Sequence, residues 1–152
     1  WADANSAQYN EGYEHTGYFN NKYIPRAGYS KNTTELNYEN NYRYIRYADV
    51  LLMAAEANNR GGISDSKAQS YLNQVRSRAG VSSVNETGSA LTQAIWDERR
   101  LEFAGEGHRF FDLVRTGQAA NEISGFVAGK HEVFPIPQTE IDISGLTQNP
   151  GY

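Results

Sequence analysis

The stretch ERRLEFAGEGHRFFDLVRTG, Glu98 to Gly117, holds three glutamates, one aspartate, one histidine and four arginines in twenty residues. Three kinds of chemistry fit that density. Glu98, Glu102 and Glu106 are spaced i, i+4, i+8, and on an unbroken helix they share a face with neighbouring Cβ atoms about 5–6 Å apart. That is near the carboxylate separation of a retaining glycosidase, so a small glycoside hydrolase using Glu98 or Glu102 is one reading. A catalytic acid, however, needs a raised pKa, which calls for burial or a like charge with no cation at hand. Arg99, Arg100, Arg109 and Arg115 lie close by in sequence and would keep carboxylates ionised. His108 and Asp112, at i and i+4, could share a helix face as metal ligands, but two ligands do not make a site. His15 and His131 have no partner pattern. The third reading is architectural: arginine's planar fork ties a carboxylate on one helix to a group on the next. On that reading Glu98, Arg99, Arg100, Glu102, Glu106, His108, Arg109, Asp112 and Arg115 form a structural ion-pair corner, the arginines pairing with the stretch's own acids. No catalytic residue or metal is then expected.

A second chemistry lies in the aromatics. Tyr and Trp faces stack on the apolar C–H face of a pyranose, while Tyr hydroxyls and Asn amides suit its ring hydroxyls. The first forty residues are rich in Tyr and Asn. Trp1, Tyr9, Tyr13, Tyr18 and Tyr23 are the candidate ligand contacts, against the plainer reading that such tyrosines pack an irregular segment over a helical layer.

The elements that position these residues follow from periodicity. Residues 1–42 show neither helical nor strand period and read as irregular, with a short strand around Gly17–Ile24. From Arg43 the apolar positions Tyr44, Ala48, Leu51 and Ala55, widened by Ile45 and Leu52, predict a helix stopped at Gly61-Gly62. Small residues at 48, 54, 55 and 57 would let a neighbouring helix come close. A second helix, capped by Ser64 or Asp65, carries Ala68, Tyr71, Leu72, Val75 and Ala79 and closes at Gly80. The link of about four residues predicts an antiparallel hairpin. After a loop from Ser82 to Gly88, a third helix buries Leu91, Ala94, Ile95, Leu101 and Phe103. Gly105 and Gly107 turn it into a short fourth helix, about His108 to Arg115. Two prolines around Ile136 forbid a central strand, so an edge segment and a one-turn helix at Pro137–Ile141 are expected. The expected organisation is one domain over 1–152: irregular 1–42, helical hairpins 43–117, irregular tail 118–152. No strict repeat of roughly 34 residues survives inspection.

Composition narrows the function classes. The chain has 152 residues, no cysteine and a net charge of -4. Thiolate chemistry and disulfides are excluded. An acidic balance argues against a surface built for phosphate backbones, so no nucleic-acid partner is expected. The apolar run VLLMAA, Val50 to Ala55, is far short of the ~20 residues of a membrane span. The chain begins at Trp1 and reads as a mature piece or a fragment, so a targeting signal could lie outside it.

Five motifs occur in order: RYADVLLMAAEA (46–57), LNQVRSRAG (72–80), IWDERRLEFAGEGHRFFDLVRTG (95–117), VFPIPQTEID (133–142) and QNPGY (148–152). Together they resemble the C-terminal half of the SusD/RagB family, over about residues 15–152. The resemblance implies a mostly α fold, a tetratricopeptide-like α-α superhelix with an irregular N-terminal segment and a short extended C-terminal one. It also implies a surface-exposed outer-membrane lipoprotein of Bacteroidetes-type bacteria, which binds oligosaccharide or polysaccharide, or in some branches peptide. Members act with a TonB-dependent transporter in nutrient uptake; they are not enzymes and need no cofactor, though some hold a structural cation. Full-length members are several times longer, with the lipid-bearing cysteine, the first helical repeats and most ligand contacts upstream of the motifs matched here. The competing reading is a helical-repeat module that contacts protein only.

Overall fold

The computed structural model describes residues 2–3, 18–20, 22–23 and 41–152. The chain divides into two compact units, Trp1–Ile95 and Trp96–Tyr152. The described residues are mostly helical. A two-residue pair, β1 (Ala2–Asp3) and β2 (Tyr18–Phe19), runs antiparallel with Ala2 opposite Phe19. It stands where a strand around 17–24 is expected, and is shorter.

In the first unit, α1 (Tyr47–Arg60) and α2 (Asp65–Arg78) form a tight helical hairpin. Leu51, Leu52 and Ala55 of α1 and Ala68, Leu72 and Val75 of α2 are buried. The turn is set by Gly62, whose φ of 65° is the left-handed region that favours glycine. Ser64 then caps α2, its hydroxyl accepting from the Lys67 N–H at 3.2 Å. Two expectations fail at the edges. Tyr44 and Ile45 precede α1 and are exposed, so the buried stripe begins at Ala48. Ala79 is the exposed cap of α2 rather than part of its buried face, because the helix has already ended.

Loop 81–87 is held by side chains of α2 in place of backbone partners. Asn73 donates to the Val84 carbonyl at 2.9 Å and accepts from the Val84 N–H at 2.8 Å. Gln69 donates to the Glu86 carbonyl at 2.8 Å and Arg76 to that of Ser82 at 2.7 Å. These three positions are spaced i, i+4, i+7, one face of the helix. The loop delivers α3 (Gly88–Glu102), in which Leu91 and Ile95 are fully buried. The start of α3 is tied to the hairpin through Asn59. Its amide donates to Asp65 Oδ1 at 2.7 Å and to the Gly88 carbonyl at 3.0 Å, and its Oδ1 accepts from the Thr92 hydroxyl. Asp65 Oδ2 in turn accepts from the Gly88 N–H at 2.7 Å.

The boundary of the second unit falls within α3. After Glu102 the chain turns through Gly105 and Gly107, with φ of 77° and 83°, into α4 (Arg109–Arg115). Phe103 and Leu113 are buried. Leu101 is 69% exposed, against its expected place inside. Two short helices stand in the stretch read as tail: α5 (Ala119–Glu122) and α6 (Gln138–Ser144), the latter longer than one turn. Between them Phe134 to Pro137 is extended. Gln148 supplies the partners a strand would have given, accepting from the Ile136 N–H at 2.8 Å and donating to its carbonyl at 2.9 Å. Asn149 donates to the Phe134 carbonyl at 2.6 Å and the Tyr152 hydroxyl to that of Val133 at 3.0 Å. Pro135 and Pro137 lack the N–H that a ladder needs, so side-chain amides are the available substitute.

Candidate functional site

The charged stretch does not place its glutamates on one continuous helical face. Glu98 and Glu102 lie on α3, but the helix ends there and Glu106 sits in the glycine turn. Glu98, Arg99 and Glu106 are buried, Glu102 is half-buried and Arg100 is exposed. Arg99 Nε donates to both oxygens of Asp112, at 3.2 and 3.1 Å. Arg115 Nε donates to Asp112 Oδ1 at 2.7 Å. One carboxylate on α4 thus bridges a buried arginine of α3 and an exposed arginine of its own helix. The Arg99 guanidinium also lies 5.1 Å from the centre of the Phe103 ring, which suits a cation over an aromatic face. His108 packs its ring 4.8 Å from Phe103.

Arg109 departs from the expectation that the arginines use acids of the same stretch. It pairs with Glu122 on α5, at 3.2 Å, because α5 brings that carboxylate back beside α4. A buried or half-buried corner is the sequence expectation, and Arg99 is its buried arginine. The spacing that carries the buried stripe from Leu91 to Ile95 reaches Arg99 next, at i+8, while Leu101 falls off the arc. Extending the period would have found it; counting apolar residues would not. Among the described residues, no group of three or more His, Asp and Glu side chains is placed to hold a metal ion.

Of the aromatic candidates, Trp1, Tyr9 and Tyr13 lie outside the described residues. Tyr18 is described only as part of β2. Tyr23 stacks on Tyr42, with ring centres 5.7 Å apart and planes 21° from parallel. Tyr42 is exposed and Tyr23 half-buried, so the pair forms a small aromatic platform in the first unit. A groove of about 830 Å³ lies along the α1–α2 hairpin. Tyr47, Ala48, Leu51 and Val75 give its apolar lining, with Arg46 and Arg78 among its polar groups. Sequence reading passed over it, because Ser70, Asn73, Gln74 and Ser77 on α2 look like an ordinary solvated face.

A sequence model of the SusD family (SusD_RagB) matches residues 1–133. SusD-like protein P2 of Formosa agariphila is 33% identical, over 86% of this chain and 30% of its own length. A SusD homolog of Bacteroides thetaiotaomicron superposes with a TM-score of 0.64 at 37% identity, over 70% of this chain and 24% of that one. Surface glycan-binding protein A of Bacteroides uniformis superposes at 0.61 with 40% identity, over 74% and 28%. The chain therefore spans under a third of these relatives. With a family model matched over residues 1–133, the chain belongs to the SusD family.

Proposed function

We propose that this chain is part of a non-catalytic glycan-binding component of a bacterial outer-membrane uptake system, acting with a TonB-dependent transporter. The carrying observation is family membership together with 40% identity to a protein named as a surface glycan-binding protein. The corner supports it. Asp112 is engaged by two guanidinium groups, so its carboxylate is committed to tying α3 to α4. We read the whole nine-residue constellation, Glu98 to Arg115, as scaffold, and residues 1–152 as one domain of the larger protein. The Tyr23–Tyr42 platform is the described feature that suits a sugar ring, since its exposed face matches the apolar side of a pyranose. Lipid-anchored display at the outer surface belongs to the same reading. No helix among the described residues is long and apolar enough to cross a membrane.

The test uses the whole polypeptide with a panel of polysaccharides in affinity electrophoresis, with reducing ends assayed in parallel. Retention by at least one polysaccharide, without release of reducing ends, is expected. Tyr42→Ala should weaken retention. Cleavage of the retained glycan, or retention by none of them alongside capture of a peptide ligand, would sink the reading.

A further inference from the structure

Helix α6 (Gln138–Ser144) buries no side chain. Ile143 is 82% exposed and Leu146, just beyond the helix, 51%. A helix of seven residues is too short to hold its own shape in water, so the ends of its loop must hold it. Those ends meet. Gln148 takes both backbone groups of Ile136, and Asn149 takes the Phe134 carbonyl. Residues 137–147 are thereby closed at their base, in the manner of an Ω-loop of about 6–16 residues. Gln148 Oε1 also accepts from the Asn149 N–H at 2.8 Å, so one side-chain amide joins the two sides of the base.

The segment that follows is fastened in turn. In Asn149-Pro150-Gly151-Tyr152 the Tyr152 N–H donates to the Asn149 carbonyl at 3.3 Å. Proline at the second position and Gly151 at the third, with φ of 84°, suit a type II turn. The turn delivers the Tyr152 ring to Lys130, whose ammonium lies 4.7 Å from the ring centre. The Tyr152 hydroxyl reaches the Val133 carbonyl. Lys130 also lies against Gly151: a Cβ there would stand 3.0–3.2 Å from three carbons of the lysine stem. Lys130 itself is mounted on a tied turn, where the Val127 N–H donates to His131 Nδ1 and the Gly129 N–H to Glu132 Oε1, each at 3.0 Å. We propose that residues 148–152 are a strap buckled by Lys130 over Tyr152, and that the strap, segment 133–136 and α6 open and close as one body while α4 stays folded. Opening uncovers the Phe134 carbonyl and both backbone groups of Ile136 along one extended segment. Pro135 and Pro137 add no N–H to that segment, so these groups are the edge it has to offer. The strap thus decides whether that edge is covered or free to pair. This proposal does not depend on the glycan reading.

The test is amide exchange on the whole polypeptide, read on peptides covering 109–117, 133–137, 138–147 and 148–152. Lys130→Met keeps the stem that packs on Gly151 and removes the ammonium. It touches none of the hydrogen bonds made by Gln148, Asn149 or α6. It is expected to speed exchange of Ile136 and of the α6 amides together, by about two- to fivefold, with α4 unchanged. Lys130→Arg keeps a cation over the ring and should return exchange to within about twofold of the unsubstituted rate. Gly151→Ala forces a side chain into the left-handed region against Lys130 and should act in the same direction as Lys130→Met, more strongly. Faster exchange confined to 148–152 would overturn the proposal, since the buckle would then hold only its own turn. So would an equal rise in α4, which makes opening the unfolding of the whole second unit. Unchanged exchange in Lys130→Met, or Lys130→Arg exchanging as fast as Lys130→Met, would deny the cation its part and overturn it as well.

Discussion

The charged corner makes a quantitative distinction between two arginines that look alike in sequence. The Arg99 side chain is 7% exposed and its partner Asp112 14%, whereas Arg109 and Glu122 are 38% and 45% exposed. Removing one member of a buried pair costs about 3–5 kcal/mol, because the other charge stays buried without compensation. Asp112 retains Arg115 at 2.7 Å, which offsets part of that loss. The lost contact over Phe103 adds about 0.5–1 kcal/mol. Arg99→Met keeps the length and apolar character of the side chain and removes the guanidinium; its expected cost is about 2–4 kcal/mol. Arg109→Met breaks a solvent-screened pair and should cost under about 1 kcal/mol.

Because the chain has two compact units, a single melting curve averages over them. Amide exchange at the end of α3 and through α4 reads the affected region directly. At about 1.4 kcal/mol per factor of ten, Arg99→Met should lower protection there by roughly 30- to 1000-fold, and Arg109→Met by about fivefold or less. A double-mutant cycle of Arg99→Met with Asp112→Asn should give a coupling of about 1–3 kcal/mol. Equal effects of the two arginine substitutions, or a coupling near zero, would refute the claim that the Arg99–Asp112 pair clamps the corner.

Asn59→Ala removes the side chain that joins Asp65, Gly88 and Thr92 and should destabilise the first unit by about 2–3 kcal/mol in urea titrations. The Asp65 carboxyl is held below its ordinary value of 3.8, first by the Gly88 N–H and then by the Asn59 amide. A lowered native pKa means its contribution is fully present above the ordinary value and is lost as pH falls from there through the native one. Asp65→Asn should therefore flatten the acid limb of a stability–pH curve below about pH 4 and leave the slope near neutrality unchanged. Gln148→Leu removes both partners of Ile136. Protease cleavage near Phe134 should speed up by roughly tenfold while the melting temperature moves by less than about 2 °C.

The parts of the fold legible in sequence are those set by local rules. The α1–α2 hairpin follows from a strong 3.6-residue period, a serine cap and a short glycine link, and each of these is visible without tertiary context. The glycine turn after Glu102 was legible for the same reason. The misses have a common physical cause. Leu101 points out and Arg99 in because a helix face is chosen by geometry, and a guanidinium can be buried when a carboxylate meets it. Glu122 could not be foreseen as the partner of Arg109, because α5 is only four residues long and such a helix has almost no sequence signature. The candidate binding residues were the least legible. A tyrosine that packs and a tyrosine that stacks on sugar have the same local sequence, and Tyr42, the exposed member of the described pair, was read as part of an irregular run.

The amides carry a further consequence for ligand chemistry. Richness in Asn and Gln suggests groups available to sugar hydroxyls. In the described residues, several are committed to backbone instead: Gln69 and Asn73 to loop 81–87, Asn59 to Gly88, Gln148 and Asn149 to the segment 134–136. Each satisfies a carbonyl or N–H that a helix or sheet would otherwise have paired, and leaving such a group unsatisfied costs about 1–3 kcal/mol if it is buried. A glycan could recruit these amides only by releasing a loop, and the few hydrogen bonds gained would be offset by those lost. Amides that help to recognise a glycan therefore have to be other than these five, which makes Asn59, Asn73 and Gln148 stability positions whose substitution should change unfolding before it changes binding.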